Sequence, residues 1–378
     1  MRPRRTALIV GAGIGGLSAG IALGRAGWCV RIVERTPSPR ELGFGLALAP
    51  NAIAALEELG VADAVLSRSS EPRRGEIRRP DGTVVKRLDL PPGGTVVALR
   101  PVLHDALLAA VGRDAVSLHS DATAFTVWDG VVTLHLASGE DLDGEVLVGA
   151  DGVSSMVRQA LHPVEPPPRA SGLVAVRGAV HHALDHLGDR DAIYYLGRGF
   201  EAMLVRASNT GLYWFLSMAR SLLPDGITDP SQVITLMAPR FDATFRAVTS
   251  ATEVLRFDEL SDRDPLSAWG RGPVTLLGDA AHPLLPQTGQ GAAQALVDAV
   301  TLGQVLRGSP DVAPALRRYE GERRPRTAVL LRQGRRAARL LATTNPLACA
   351  LRDTVLRLIP VQTLMRFYVS VNRRAGTR

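Results

Sequence analysis

Aromatic side chains, lysine and cysteine are all scarce in this sequence. Phenylalanine, tryptophan and tyrosine make up 4% of the 378 residues, and Lys86 is the only lysine among 44 lysine and arginine residues. No run of about 18 uninterrupted apolar residues occurs, so no membrane-spanning helix is predicted. With 46% hydrophobic and 21% charged residues, the composition is that of an ordinary globular protein.

The two cysteines, Cys29 and Cys349, are too few for a disulfide framework. Their number fits a reducing compartment, so we expect a cytoplasmic protein. Residues 1–27 are first basic and then apolar, as in a signal peptide, but glycines interrupt the apolar run at a fixed spacing. We therefore interpret this stretch as part of the fold.

The basic residues are almost all arginines, and the chain has a net charge of +7. Many of them are concentrated in residues 317–339, within a predicted helical region. Charge runs on helices are usually solvated faces, and we interpret this one in the same way. No aromatic residues alternate with the arginines and no nucleic-acid-binding motif is present, so nucleic acid is not an expected partner.

Strand–helix units lie towards both ends of the chain, and a strand-rich block lies between them. Buried strands are predicted over residues 6–10, 145–150 and 274–277, and consecutive strands over 173–218. This order predicts an α/β fold, in which a Rossmann-like nucleotide-binding domain carries an inserted, mostly antiparallel β-sheet domain and a C-terminal helical region. We assign residues 1–70, 98–165 and 265–340 to the first domain, 71–97 and 166–264 to the inserted domain, and 341–378 to the helical tail.

The segment after the first predicted strand has the spacing G-x-G-x-x-G. Gly11 permits a tight turn, Gly13 lets the backbone approach a pyrophosphate, and Gly16 lets the next helix pack closely on the strand. Glu34 ends the next predicted strand, at the place where an acidic side chain accepts a hydrogen bond from a ribose hydroxyl. The pattern predicts a dinucleotide site for either NAD or FAD.

Two other loops that follow buried strands carry aspartates. Asp151 and Gly152 come directly after one predicted strand, and Arg158 lies on the short helix beyond. Gly278 and Asp279 come directly after another, in the segment GDAAHPLLPQTGQG, which leads into a predicted helix. No packing requirement explains this set of residues, whereas a bound ligand would.

Together the three motifs resemble the fingerprint of the class A FAD-dependent aromatic hydroxylases and monooxygenases, which include para-hydroxybenzoate, salicylate, 3-hydroxybenzoate and urate hydroxylases. The resemblance runs from about residue 5 to about residue 340. It implies a non-covalently bound FAD, held in the Rossmann-like domain, and a substrate held by the inserted sheet. The cofactor-binding residues that it implies are Gly11, Gly13, Ile14, Gly15, Gly16, Glu34, Arg35, Arg100, Asp151, Gly152, Arg158, Gly278, Asp279, Pro286, Gly289, Gly291 and Ala292.

The resemblance also implies individual roles. Asp279 would bind a ribityl hydroxyl, Arg35 would lie along the adenine, and Pro286 and Gln287 would lie beside the flavin ring. Backbone N–H groups of residues 289–292 would point at the pyrimidine edge of the ring, where negative charge gathers on reduction. A helix N-terminus stabilises an anion by roughly 0.3–2 kcal/mol.

The implied reaction asks little of the side chains. NADH or NADPH reduces FAD, the reduced flavin takes up O2 as a C4a-hydroperoxide, and one oxygen atom passes to an electron-rich aromatic or unsaturated molecule. No metal is needed, and no defensible metal-binding motif is found. Candidate catalytic or substrate-contacting residues are Arg206, Tyr213, His282 and Pro286. The alternatives are a solvated Arg206, a Tyr213 that packs in the core and a His282 that only caps or packs.

The substrate class is open. Val176 precedes Arg177, where an aromatic residue is common in the family, and Val297 likewise replaces a common acidic residue before Asp298. The first departure leaves the type of substrate in doubt. Aromatic residues are scarce and aliphatic residues dominate the middle of the chain, which favours a bulky apolar substrate, whereas the resemblance implies an aromatic one.

Two rival functions are compatible with a flavin site: an FAD-dependent reductase of isoprenoid double bonds, and a flavoprotein without enzymatic activity. Flavin-dependent halogenation is disfavoured because its W-x-W-x-I-P motif is absent. The tail 347–374 is apolar with spaced arginines, which predicts a helix packed on the nucleotide-binding domain or one that touches a membrane surface. We expect a monomer or a homodimer.

Overall fold

The computed structural model describes residues 5–37, 44–361 and 363. The strands in this part are β1 (Thr6–Val10), β2 (Cys29–Val33), β3 (Gly45–Leu48), β4 (Arg74–Arg78), β5 (Val84–Asp89), β6 (Val96–Leu99), β7 (Val116–Ser117), β8 (Ala122–Trp128), β9 (Val131–Leu136), β10 (Asp141–Gly144), β11 (Val146–Gly149), β12 (Arg169–His181), β13 (Ala192–Leu196), β14 (Phe200–Arg206), β15 (Gly211–Ala219), β16 (Leu255–Asp262) and β17 (Val274–Leu276). The α-helices are α1 (Ile14–Arg25), α2 (Pro50–Glu58), α3 (Ala62–Leu66), α4 (Arg100–Val111), α5 (Met156–Leu161), α6 (Pro230–Met237), α7 (Ala243–Ser250), α8 (Gly291–Leu306), α9 (Val312–Leu341) and α10 (Pro346–Leu358).

Five parallel strands form one sheet in the order β17–β11–β1–β2–β7. Strands β1, β11 and β17 are continuous apolar runs with almost no exposed residue, as expected for parallel strands covered on both faces. Helix α1 packs on this sheet and against α4 and α8, and the small sheet β10–β9–β8 packs next to β1 and β11. One large apolar core results.

Seven strands form a second sheet in the order β16–β12–β15–β14–β13–β4–β5. Neighbouring strands are antiparallel except for the parallel pair β13 and β4. Side chains of its outer face, such as Val176, Leu204 and Trp214, form a core with Val233 of α6 and Phe245 of α7.

The opposite face of this sheet is called the inner face here. Along the adjacent strands β12, β15 and β14 its residues alternate with those of the outer face: Leu173, Ala175, Arg177, Glu201, Met203, Val205, Tyr213, Phe215 and Ser217. Tyr213 and Val205 pack against Phe44 and Val97 around the two-stranded sheet β3–β6. Leu285 packs against Leu173, so the inner face is turned towards the loop of residues 283–290.

The predicted fold class is therefore confirmed: a Rossmann-like α/β part, an inserted and mostly antiparallel sheet, and a C-terminal helical region. Helix α10 forms the described part of the predicted tail, whereas α9, which continues through Pro325 over 30 residues, packs on α8 and β17 of the Rossmann-like part. Helix α10 contacts β5 of the inserted sheet, which corrects the predicted packing of the tail on the nucleotide-binding domain. The predicted end of the tail, beyond residue 363, lies outside the described residues.

Candidate active site

The predicted glycine motif forms the turn between β1 and α1. Gly11 has a φ of +100°, and a Cβ added there would lie 2.6 Å from the Ala150 carbonyl oxygen. A Cβ at Gly16 would lie 1.8 Å from the Gly11 carbonyl oxygen, so only glycine lets the helix approach the turn this closely. A Cβ at Gly13 would meet nothing within 4 Å. Gly11 and Gly16 thus serve backbone packing, whereas Gly13 borders open space.

The N-terminus of α1 is open towards that space. The helix begins at Ile14, and its N-cap Gly13 has no side chain to accept a hydrogen bond from the first turn. Gly15 keeps the first turn close to the end of β17, because a Cβ there would lie 2.8 Å from Leu277 Cδ2. Such a helix start, with its positive dipole end, is suited to a phosphate group.

A cavity of about 270 Å³ lies in front of the turn, at the carboxyl ends of β1, β2 and β11. This is the edge at which open α/β sheets bind nucleotides. Six of the predicted cofactor-binding residues line it: Gly11, Gly13, Glu34, Arg35, Asp151 and Gly152. The structure therefore brings two of the three predicted loops to one cavity.

Glu34 holds the glycine turn and still has capacity for a ligand. Its Oε2 accepts the Ala12 N–H at 2.8 Å, and its Oε1 accepts the N–H and hydroxyl of Thr36 at 2.9 Å. A carboxylate has about four acceptor positions, so one remains in a side chain that lines the cavity. A ribose hydroxyl would satisfy it.

Asp151 caps α5 with one oxygen and leaves the other unused. Its Oδ2 accepts the Met156 N–H at 2.6 Å, while Oδ1 is buried and has no hydrogen-bond partner in the described chain. Burial raises the pKa of this carboxyl. A buried acceptor without a partner is costly, so a donor from a ligand in the cavity would complete the site.

Arg158 is a structural cross-link in this structure. The side chain is 1% exposed, and its guanidinium pairs bidentately with Glu165 at 2.6 and 2.7 Å. Its Nη1 also donates to the carbonyl oxygens of Ala280 and Ala281, at 2.9 and 3.0 Å. Its predicted direct contact with the cofactor is not favoured by this geometry, because the guanidinium is already engaged in fixing α5 to the loop after β17.

Asp279 is surrounded by protein but is still accessible to solvent. The surrounding protein raises the pKa of its carboxyl group, and His282 and Arg100 partly counteract this rise. A carboxylate that lines a narrow cleft has both properties. Gly278, with a φ of +61°, makes the turn that places it there, and Arg100 at the start of α4 stands nearby.

The rest of the third loop leads to a second open helix start. Pro286 is exposed on a short 3-10 turn, and Gly289 adopts a left-handed conformation with a φ of +62°. Helix α8 begins at Gly291, and no side chain caps it. A Cβ at Gly291 would meet nothing within 4 Å, so this helix start also borders open space.

Behind the loop, His282 belongs to a buried ionic network. Its Nε2 lies 2.5 Å from Asp298 Oδ2, and Arg323 Nε lies 2.5 Å from Asp298 Oδ1. Burial alone would raise the pKa of Asp298, but His282 and Arg323 hold it below its ordinary value. Arg323 also donates to Gln294 of α8 at 2.5 Å. These contacts favour the packing interpretation of His282.

The arginines of residues 317–339 do not all lie on a solvated face, which corrects the prediction made from the sequence. Arg323 is fully buried, and Arg335 is bound to Asp262 and Asp264, each at 2.7 Å. Part of the arginine run therefore points inward, where it fixes α9 to the site. The sequence alone could not show which arginines these are, because their acidic partners are remote in the chain.

The two candidate residues of the inserted sheet, Arg206 and Tyr213, lie on opposite faces of the sheet, because side chains alternate between the faces along a strand. Arg206 lies on the outer face with Leu204, next to Leu212, and its Nε is 3.5 Å from Asp191. It therefore points away from the cofactor loops, which contradicts its predicted substrate contact. Tyr213 lies on the inner face, and a Cβ at Gly45 would come within 2.4 Å of its ring.

Sequence reasoning missed a polar cluster on the inner face. Gln287 donates to Glu201 Oε1 and to Ser217 Oγ, each at 3.3 Å, and Tyr194 donates to the other oxygen of Glu201. The cluster ties the 283–290 loop to the inserted sheet. An acidic residue inside the apolar strand FEAMLVR was the one signal available.

Arg177 was also missed as a site residue. It sits directly across from Phe215 on the inner face, and its closest acidic partner, Asp258, is 3.7 Å away. Because this pairing is loose and the side chain is 26% exposed, its guanidinium can receive an acidic group from a ligand.

These features fit FAD. The open helix starts suit the pyrophosphate and the flavin pyrimidine edge, and unused carboxylate oxygens suit ribose and ribityl hydroxyls. The closely packed Gly11 and Gly16 make the turn that such a ligand requires.

Comparisons with known proteins agree. A family model described as an FAD binding domain matches residues 4–333. Aurachin C monooxygenase/isomerase of Stigmatella aurantiaca is 32% identical over 371 residues, which cover 95% of each chain. 3-Amino-4-hydroxybenzoate 2-monooxygenase of Streptomyces cremeus is 32% identical, over 92% of this chain and 91% of that protein. The solved structure of Klebsiella pneumoniae HpxO complexed with FAD and uric acid superposes with a TM-score of 0.91 at 26% identity, covering 98% of this chain and 97% of that one. The chain therefore belongs to the class A FAD-dependent aromatic hydroxylases and monooxygenases.

Proposed function

We propose that this FAD-dependent monooxygenase inserts one oxygen atom from O2 into an electron-rich aromatic or bulky apolar molecule, with NADH or NADPH as the electron donor. The observation that carries the proposal is that two uncapped helix starts and three acidic side chains lie in segments that follow strands of the parallel sheet, and that two of these side chains share one cavity with the start of α1. The acidic side chains are Glu34, Asp151 and Asp279. When bound, FAD supplies the redox chemistry and the activation of O2.

The three loops divide the cofactor between them in this proposal. Glu34 and Arg35 hold the adenosine part, the start of α1 holds the pyrophosphate, and Asp279 holds the ribityl chain. The start of α8 faces the pyrimidine edge, where its dipole stabilises negative charge. Asp151 completes the cavity by accepting a hydrogen bond with its unused oxygen.

The substrate lies between the inner face and the 283–290 loop. Met203 and Phe215 supply apolar contact, and the packing of Tyr213 and Val205 against Phe44 keeps water out. Burial raises the pKa of Tyr213 to about 12. In this proposal its hydroxyl, which is protonated at neutral pH, donates to a substrate oxygen. Arg177 takes over the role of anion partner that Arg206 cannot fill.

We propose the same division into domains as the sequence predicts. Residues 1–70, 98–165 and 265–340 form the FAD-binding domain, and residues 71–97 and 166–264 form the substrate domain.

Neither Cys29 nor Cys349 forms a disulfide, which supports a cytoplasmic location. A monomer or a homodimer suffices for a site built within one chain.

The test is turnover of FAD-loaded protein with a panel of phenols, hydroxylated heteroaromatics and polyprenylated aromatics under ¹⁸O2. We expect substrate-stimulated oxidation of NADH or NADPH and a product with one ¹⁸O atom. A hydrogenated product formed without oxygen would instead establish the reductase function. FAD binding without stimulated oxidation for any compound would indicate a flavoprotein without this activity.

A further inference from the structure

Helix α10 is fixed to the body of the protein along one side. Its Asp353 is buried and pairs with Arg79 at 2.9 Å and with Arg352 at 3.0 Å. Arg352 also donates to the Gly197 carbonyl oxygen at 3.1 Å. Lys86 of β5 donates to the Leu356 carbonyl oxygen at 3.0 Å and to two neighbouring carbonyl groups at the end of the helix. The orientation of α10 is therefore set by polar contacts on its inner side.

The side of α10 that faces away from the protein is apolar. Leu347, Leu351, Val355 and Leu358 are 82%, 66%, 44% and 75% exposed. Their spacing of four, four and three residues puts them on one line along the helix, named the α10 stripe here. Single exposed apolar residues are common, but a continuous line on a firmly anchored helix marks an interaction surface.

The segment that carries the α10 stripe is basic in sequence. Residues 346–378 contain six arginines and one acidic residue, Asp353, whose charge is already paired within the protein. Arg357 lies on α10 itself, between Val355 and Leu358 of the stripe, and is exposed. An apolar line with a cation beside it matches the acyl boundary and the phosphates of a lipid surface.

We propose that the α10 stripe binds the surface of an anionic lipid bilayer. A second copy of the chain is a poorer occupant, because the stripe offers Arg357 no anionic partner: Asp353, the one acidic residue of 346–378, is already paired within the protein. None of the helices in the described part of the chain has the length and hydropathy to span a bilayer, so the contact is interfacial. The proposal concerns location and does not depend on the proposed reaction.

The experiment is co-sedimentation of the full-length, FAD-loaded protein with two kinds of vesicle. One contains phosphatidylglycerol and phosphatidylethanolamine, and the other contains phosphatidylcholine alone. The test variant carries Leu347→Gln, Leu351→Gln and Leu358→Gln. The matched control carries Val127→Gln, Trp128→Gln and Val131→Gln, which remove three exposed apolar side chains from the β8–β9 hairpin.

We expect the wild type and the hairpin variant to bind the anionic vesicles at least about ten-fold better than the neutral ones, and the stripe variant to lose that binding. Retained FAD in all three proteins shows that folding is intact. Three results would overturn the proposal: no binding to either vesicle, anionic binding that the stripe variant keeps, or a wild-type dimer that the stripe variant dissociates. The last result would make a second copy the occupant.

Discussion

The parallel sheet of this molecule binds a ligand at the carboxyl ends of its strands, whereas the inserted sheet binds one with the side chains of its inner face. In the parallel sheet the inner strands β1, β11 and β17 are buried, and the cavity is lined by the carboxyl ends of strands and the loops that follow them. The functional residues then stand at fixed places in the sequence, directly after a strand. In the inserted sheet they occupy alternate positions inside strands, where a shift of one residue exchanges the inner and outer faces. The first kind of site is visible as motifs, and the second is visible only once the register is known.

The largest effect that this comparison predicts is that of Gly16→Ala, which adds a single methyl group in the first turn of α1. The new Cβ would lie 1.8 Å from the Gly11 carbonyl oxygen, so helix α1 or the turn must move. We expect complete loss of bound FAD and a stability loss above the roughly 1–3 kcal/mol typical of overpacking. The measurements are the flavin content of the purified protein and urea unfolding.

Gly24→Ala is the matched control within α1. A Cβ there meets nothing within 4 Å, so the variant should keep FAD and gain roughly 0.5–1 kcal/mol of stability. Gly13→Ala separates packing from binding, because its Cβ points into open space. It should fold as the wild type does and bind FAD more weakly. Equal FAD affinity in Gly13→Ala and wild type would argue against a pyrophosphate at this position.

Much of the strand-end site could be predicted from the sequence for a physical reason. A tight backbone turn requires glycine. Packing does not explain an aspartate directly after a buried strand, so such an aspartate indicates a ligand. Gly11, Glu34 and Asp151 were placed at the cavity by such arguments, and Asp279 was placed at the adjoining loop. The partners of charged side chains could not be predicted in this way, because they come from remote segments: Glu165 for Arg158, and Asp298 for Arg323.

The second prediction concerns that remote pairing. Arg323→Met removes the cation beside Asp298 and leaves a buried carboxylate bonded to His282 and the Gly278 N–H. We expect a loss of about 3–5 kcal/mol in the free energy of unfolding, measured by urea titration. Arg332→Met on the same helix, at an exposed position, should change it by less than about 0.5 kcal/mol. A similar small change in both variants would mean that the network is not stabilising.

The third prediction concerns the carboxyl group of Glu201, which titrates within the inserted sheet. Burial raises the pKa of Glu201 from 4.5 to about 7 in the folded protein. The folded state therefore holds this proton between about pH 4.5 and pH 7 while the unfolded state loses it. Folding stability should fall as the pH rises through this window, by roughly 3 kcal/mol from this group.

Glu201→Gln removes the proton linkage while keeping an amide that can bond Gln287. Urea unfolding at about pH 5 and pH 8 should show a smaller loss of stability in this variant than in the wild type. Glu259→Gln on β16 changes an exposed carboxylate and should leave the pH dependence as it is. If Glu201→Gln and wild type lose stability in parallel, the carboxyl is ionised in the folded protein at both pH values.

The smallest expected effect tests which face of the inserted sheet contacts the substrate. Arg177 and Arg206 are both arginines of the inserted sheet, but Arg177 lies on the inner face and Arg206 on the outer face. For a substrate with a carboxylate or phenolate, Arg177→Gln should raise KM about ten-fold, since a hydrogen bond to a charged group contributes roughly 1.5–3 kcal/mol. Arg206→Gln should leave KM unchanged, because its guanidinium faces Asp191 on the side away from the loops. The opposite ranking in steady-state kinetics would mean that the substrate enters on the helix-covered side of the sheet. The division between a sheet that binds with its strand ends and one that binds with its inner face would then have to be abandoned.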